Sequence, residues 1–391
     1  MDDKKWSNLQ NIKYFPNLNG IRFIAAFSVL IHHIEQAKYA FHLPSIYANH
    51  IIKNLGKLGV GLFFVLSGFL ITYLLLSEKS KSNDINIRHF YMRRILRIWP
   101  IYFLIVLLSF FVFPHIPFFT HIEGANFFSG SSVYKGFSLF LILLPNLSFI
   151  LYGSPYLCSQ TWSIGVEELF YYIWPWVVKF PNFKSILLTI SIFCLSLTLI
   201  VVGYVEVVGG TLLKDYEEIG LLFLGQFRIV SLLLGGLMAT LLMYKKIKIL
   251  SILFRRDLQY IVYGLFLISL FFNLHPYPLN SEYYALFFAY FVLNLASNPD
   301  SILNLEYKWI NYLGKISYGL YIYQTAMVVF SIRILQWVFN NNTPTLSFNI
   351  LLYTLSIGFT FITSALSFHY FEHWFLTLKH RFSSERSSPQ K

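Results

Sequence analysis

The chain has 391 residues, of which 56% are hydrophobic and only 12% charged, against about 25% charged in a soluble globular protein. That composition excludes a water-soluble enzyme and describes an integral membrane protein. The formal net charge of +12 fits a positive-inside bias, with basic clusters set between apolar runs, so no nucleic-acid partner is expected.

Residues 1–17 are short and polar, with Lys4, Lys5 and Lys13, and are expected in the cytoplasm. The first apolar run, over 18–36, is too long for a cleaved signal peptide and lacks a small-residue cleavage site, so it stays as an anchor. It carries Arg22 near its start and His32 and His33 near its end. A charge at the centre of a bilayer costs on the order of 3 kcal/mol on insertion scales. Ten residues separate Arg22 from His33, about 16 Å along a helix and nearly on one face. One face thus presents a cation near one surface and an imidazole deep inside. A snorkelling Arg22 and a hydrogen-bonded core His33 are the alternative.

The second span is expected over 56–77, where Gly59, Gly61 and Gly68 permit close helix packing or close approach of a ligand. Residues 77–97 are basic, with Lys79, Lys81, Arg88, Arg93, Arg94 and Arg97, and belong in the cytoplasm. The third span, 98–113, has Pro100 where a first turn tolerates it, and an outer loop over 115–132 follows. The apolar stretch 134–152 is interrupted by Pro145 and Asn146. If it crossed, the basic run 245–256 would fall outside, so it reads as a re-entrant or outer-face segment buried against protein.

Further spans are expected at 163–180, 184–204, 221–243, 258–274, 282–297, 311–337 and 348–376, with an acidic outer loop at 206–218. The fold class is therefore an all-α polytopic membrane protein. It has about ten transmembrane helices plus one re-entrant or outer-face apolar segment, and both termini are cytoplasmic. The transmembrane domain covers 18–376 and a basic tail covers 377–391. No internal repeat supports an inverted-repeat transporter, and no long soluble stretch suggests an appended extracellular enzyme. Cys158 and Cys194 suggest neither a disulfide nor a metal–thiolate site.

Four further features carry possible chemistry. Arg94 and Arg97, three residues apart, share a helix face and can hold a phosphate or an anionic headgroup through bidentate contacts, with Arg93 beside them as an anchor. In QTWSIGVEELFYYIWP, residues 160–175, the adjacent carboxylates Glu167 and Glu168 point about 100° apart on a helix. One can face the interior to orient His33 or bind a sugar hydroxyl. The other suits the helix N-terminus. GKISYGLYIYQ, residues 314–324, places hydroxyls and the Gln324 amide deep in a span, where they can line a polar tunnel. HYFEHWF, residues 369–375, contains the H-x-x-E-H pattern of an inverted zinc-protease helix. No third ligand accompanies it, so membrane-end anchoring is the reading and no metal is expected.

Together these pieces resemble the membrane acyltransferase-3 family, bacterial proteins that O-acylate exported carbohydrates. LNGIRFIAAFSVLIHH resembles the family's first helix, FFVLSGFLITYLL its second, and FYMRRILRIWPIY its paired-arginine segment. TWSIGVEELFYYIWP, LGKISYGLYIYQ and YFEHWF resemble three later signatures. The resemblance implies transfer of an acyl group, usually acetyl, from cytoplasmic acyl-CoA to a hydroxyl of an extracytoplasmic or lipid-linked glycan, in the bacterial inner membrane among its lipids. On that basis His33 is expected as general base with Glu167 beside it. Arg22, Arg94 and Arg97 are expected to serve acetyl-CoA. Ser163, Glu168, Tyr318 and Gln324 are expected to bind substrate. Gln324 stands where the family often has histidine, so a hydrogen-bonding role is expected of it. Direct transfer is the expected mechanism, with a covalent acyl-histidine as the other route. A glycan or lipid-intermediate flippase, and a membrane sensor or scaffold, are the competing functions.

Overall fold

The computed structural model describes residues 14–119, 132–153, 155–208, 228–276, 279–339 and 346–382. The lysines of the expected cytoplasmic segment, 120–131 of the first outer loop, 209–218 of the acidic loop, 221–227 of the expected sixth span and the tail beyond 382 lie outside the described residues. Among the described residues all regular structure is helical. We number the helices α1 Leu18–Ala40, α2 His50–Ser82, α3 Ile87–Leu107, α4 Ser132–Leu141, α5 Pro145–Tyr152, α6 Trp162–Lys179, α7 Phe183–Val208, α8 Ile229–Met243, α9 Ile247–Leu253, α10 Arg256–Phe271, α11 Asn280–Ser297, α12 Lys308–Lys315, α13 Ser317–Val338, α14 Leu346–Leu366 and α15 His373–Lys379.

Among the described residues, five helical stretches are long and apolar enough to cross a membrane: His50–Ser82, Ile87–His115, Phe183–Ile200, Ser317–Val338 and Leu346–Lys379. A sixth arises if α8 and α9, bent by 118°, form one broken span. α1, α6, α10 and α11, also expected to cross, are helical but shorter or richer in charged and polar residues. α7 leaves Phe193 64% and Ile200 67% exposed, an apolar surface suited to lipid and not to water. The protein is a multi-pass membrane protein.

Several boundaries differ from the sequence expectation, each for a local reason. α3 begins eleven residues before the expected start of the third span, because the Asn86 side chain accepts the His89 N–H and caps the basic stretch as helix. Pro100 therefore sits inside α3 and not in its first turn. The expected span 311–337 is broken at Ile316 into α12 and α13. The stretch 134–152 forms two short helices of 10 and 8 residues, joined where Leu143 takes a left-handed φ of 62°.

The chain divides into two compact units. The first comprises Met1–Ala25, Lys57–Ile85 and Leu169–Lys315. In it a Cβ on Gly68 would lie 1.9 Å from the Leu232 carbonyl oxygen, and one on Gly235 would lie 2.0 Å from that of Val65. α2 and α8 therefore meet backbone to backbone, which only glycine permits. Gly61 merely touches Phe288 at 3.5 Å, so the close-packing reading belongs to Gly68. The Lys79 ammonium donates to the carbonyls of Val178, Lys179 and Phe180 and caps the end of α6.

A polar clamp holds the start of α1 in this unit. Asn17, at a left-handed φ of 63°, donates through Nδ2 to the Leu295 carbonyl at 2.9 Å and accepts the Leu305 N–H at 2.6 Å. Its backbone N–H donates to Glu306, whose carboxylate also accepts from Asn311 and Tyr14. Burial by itself raises the Glu306 pKa, but these donors outweigh it and hold the carboxyl below its usual range. A depressed carboxylate stabilises the folded state above the unfolded-chain value of about 4.3 and loses that contribution as pH falls through the folded pKa. Glu306→Gln should therefore destabilise the detergent-solubilised chain at pH 7 by about 1–3 kcal/mol for charge-assisted bonds, read as a lower thermal midpoint. The difference from wild type should shrink below pH 4.

The second unit comprises Ala26–Gly56, Asn86–Glu168 and Ile316–Lys391. Leu30, Ile34, Val328, Ile332, Leu335, Phe348 and Leu352 pack the second half of α1 against α13 and α14. Glu35, fully enclosed, accepts from Lys38 Nζ, Tyr353 Oη, Ser45 Oγ and the Ile46 N–H, at 2.6–2.9 Å. A buried carboxylate so fully paired fixes the end of α1, two residues beyond His33.

Candidate functional site

Eight of the nine sequence-predicted site residues fall in the second unit: His33, Arg94, Arg97, Ser163, Glu167, Glu168, Tyr318 and Gln324. Arg22 belongs to the first unit, where its guanidinium donates to Asn19 Oδ1 at 2.9 Å.

His33 is partly buried, and its Nδ1 is shut from solvent without a hydrogen-bond partner. Its neighbours are the His32 ring, 5.4 Å away between centroids, and the Gln324 side chain. His32 is an anchor. Its Nδ1–H donates to the Ile52 carbonyl at 3.0 Å, and its ring fills the space in front of Gly56, where a Cβ would come within 2.6 Å. Gln324 is fully buried on α13, and its Nε2 donates to the Tyr321 carbonyl at 3.0 Å. That bond leaves Oε1 buried and unpaired. A single hydrogen bond from His33 Nδ1–H to Gln324 Oε1 would satisfy both orphaned atoms and free the other ring nitrogen as a lone pair.

Gln160 ties the turn before α6 to the Gln324 segment. Its Nε2 donates to the Ile322 carbonyl at 2.5 Å, and its Oε1 accepts from Thr325 at 2.9 Å. Its carbonyl accepts the Tyr321 hydroxyl at 2.8 Å, and Ser163 Oγ lies 2.7 Å from that hydroxyl. Gln160 has no role in the sequence reading; an amide at the mouth of an apolar helix is the one signal that points to it.

The carboxylates of α6 lie elsewhere than expected. Glu168 accepts from Trp99 Nε1 at 3.2 Å and interacts with Arg94 and Glu167. Its Oε1 is buried without a partner. Glu167 acts on Tyr318 and Tyr321 of α13. The side chain beside the His33 ring is Gln324, while the α6 carboxylates act on the tyrosines of α13 and on Arg94 of α3.

Arg97 interacts with Glu372, which is 8% exposed and accepts from Ser367 Oγ at 3.4 Å. Glu372 closes a π-helical turn, Ser367–Glu372, a feature frequent at functional sites. It was missed because its stretch read as a membrane anchor. Tyr318 donates to the Ile98 carbonyl at 2.9 Å beside both carboxylates. Arg94 lies over the Phe90 ring. Arg93 donates to the Phe382 carbonyl at 2.7 Å. The arrangement offers two guanidiniums one turn apart with carboxylates beside them, and a separate imidazole–amide pair able to accept a proton.

The acyltransferase domain family matches residues 15–369. A peptidoglycan O-acetyltransferase, OatA of Listeria monocytogenes, is 32% identical over 169 residues, 42% of this chain and 24% of the relative. The O-acetyltransferase OatA of Staphylococcus aureus is 26% identical over 355 residues, 84% of this chain and 54% of the relative. The match therefore spans about half of the Staphylococcus relative and about a quarter of the Listeria one. No solved structure matches the chain.

Proposed function

Since the chain belongs to the acyltransferase-3 family, matched over residues 15–369, we propose that it transfers an acetyl group from cytoplasmic acetyl-CoA to a hydroxyl of a cell-envelope glycan. The acceptor class follows the relatives, which are named as O-acetyltransferases, one of them for peptidoglycan. The bacterial inner membrane is the setting this implies.

The observation that supports the reading best is the pair of buried, unpaired atoms His33 Nδ1 and Gln324 Oε1. With Nδ1–H donated to Gln324, His33 Nε2 removes the proton of the acceptor hydroxyl. The oxygen attacks the thioester carbonyl, the C–S bond breaks, and the departing CoA sulfur takes the proton from the imidazolium. The products are the glycan acetyl ester and free CoA, and His33 returns to its neutral form. Arg94 and Arg97 hold the CoA phosphates by charge-assisted bonds. Ser163, Glu167, Glu168 and Tyr318 are hydroxyl-binding groups for the glycan.

Comparing envelope glycans from cells with and without the gene by mass spectrometry tests the activity. Acetyl esters should disappear with the gene; precursor accumulation with unchanged acetylation would instead support a flippase. Gln324→Leu tests the tautomer argument. It should lower kcat about 10–100-fold, as loss of an orienting partner does, and leave KM for acetyl-CoA unchanged.

A further inference from the structure

The interruption that ends the apolar stretch at 134–152 holds a second set of unpaired groups. Asn146 is fully buried in the first turn of α5, yet neither its Nδ2 nor its Oδ1 has a hydrogen-bond partner. Several other buried polar side chains of this unit are paired. Ser148 donates to the Gly136 carbonyl, Thr161 to that of Cys158 and Tyr102 to that of Phe140. An unpaired buried amide opposes folding, and more so where no water can reach it. Its retention calls for a partner that the free chain does not supply.

Its position says which partner. A Cβ on Gly165 would lie 3.0 Å from Asn146 Oδ1 and 2.8 Å from Pro145 Cδ. The missing side chain at 165 is what lets the amide rest on α6. Glu168 follows Gly165 by three residues, so it lies on the same stripe of that helix. Its Oε1 is also buried and unpaired. One donor and two acceptors are thus left open along a single turn of α6.

We propose that Asn146 is a binding residue for a saccharide hydroxyl, forming with Glu168 a subsite for the glycan acceptor. This rests on the acyl-transfer reading for the identity of the ligand. A hydroxyl both donates and accepts, so a polyol satisfies Nδ2, Oδ1 and the carboxylate together. A thioester carbonyl only accepts and would leave both acceptors open.

The test uses the full chain in nanodiscs and a soluble peptidoglycan oligosaccharide, with binding measured by calorimetry in the absence of acetyl-CoA. Asn146→Leu, close in volume and apolar, should leave the thermal midpoint unchanged or raise it, since an unpaired amide is removed. It should weaken oligosaccharide binding at least tenfold and leave KM for acetyl-CoA unchanged. Asn146→Asp keeps the shape and one acceptor but loses the donor; it should show a smaller loss, and it decides the matter if the leucine variant does not accumulate. Wild-type oligosaccharide affinity in both variants, no oligosaccharide binding by the wild type, or equal losses for donor and acceptor would overturn the subsite. Oligosaccharide binding sensitive to Asn146 in a chain that transfers no acetyl group would uphold the subsite and refute the transferase reading.

Discussion

His33→Ala is expected to reduce acetylation of the envelope glycan by about 10²–10⁴-fold, the usual contribution of a positioned general base, while the amount of protein in the membrane stays normal. Protein level is expected to hold because the enclosed Glu35 with its four donors fixes the end of α1 independently of the His33 ring. His33→Gln keeps polarity without a usable base and should be equally inactive. Mass spectrometry of released glycans, alongside immunodetection of the membrane fraction, reads both quantities. A core histidine with no chemistry would give the reverse: acetylation lost only in proportion to protein.

Arg94→Ala and Arg97→Ala should each raise KM for acetyl-CoA about 10–100-fold, with a smaller change in kcat at saturating donor. A hydrogen bond to a charged group contributes about 1.5–3 kcal/mol, and the donor phosphates are remote from the reacting carbonyl. Lysine at either position keeps the charge and loses the planar fork, so an intermediate KM is expected. The alanine variants also take a cation away from a carboxylate: Glu168 beside Arg94, and Glu372 beside Arg97. A loss of thermal stability should therefore accompany them, and Glu372→Gln in the Arg97→Ala background should recover stability without recovering KM. Recovery of both would mean that Arg97 serves only to neutralise Glu372.

The sequence displayed the chemistry of this chain better than its geometry. Ionisable residues in apolar runs are costly and therefore conspicuous, which is why His33, Arg94, Arg97 and the Glu167–Glu168 pair stood out. Which carboxylate or amide reaches which partner depends on helix rotation and on crossing points such as Gly68–Gly235, and no local pattern states these. Hence Glu167 was assigned to His33, whereas Gln324 lies there. Glu372 and Gln160 were overlooked because each sits in an aromatic or apolar stretch with an adequate bland explanation. Pro100 misled because proline usually marks a first turn, and the cap that begins α3 earlier is the unremarkable Asn86. The interruption at Pro145 and Asn146 was legible, but the unpaired state of the Asn146 amide emerges only from tertiary packing.

The most direct measurement is transfer by the purified full chain reconstituted in liposomes, with isotopically labelled acetyl-CoA on one side and a soluble peptidoglycan oligosaccharide on the other. Labelled acetyl ester should accumulate on the oligosaccharide with the wild type and be absent with His33→Ala. Label that reaches the oligosaccharide equally well in both proteins, or an oligosaccharide that crosses the bilayer unmodified, would contradict the account.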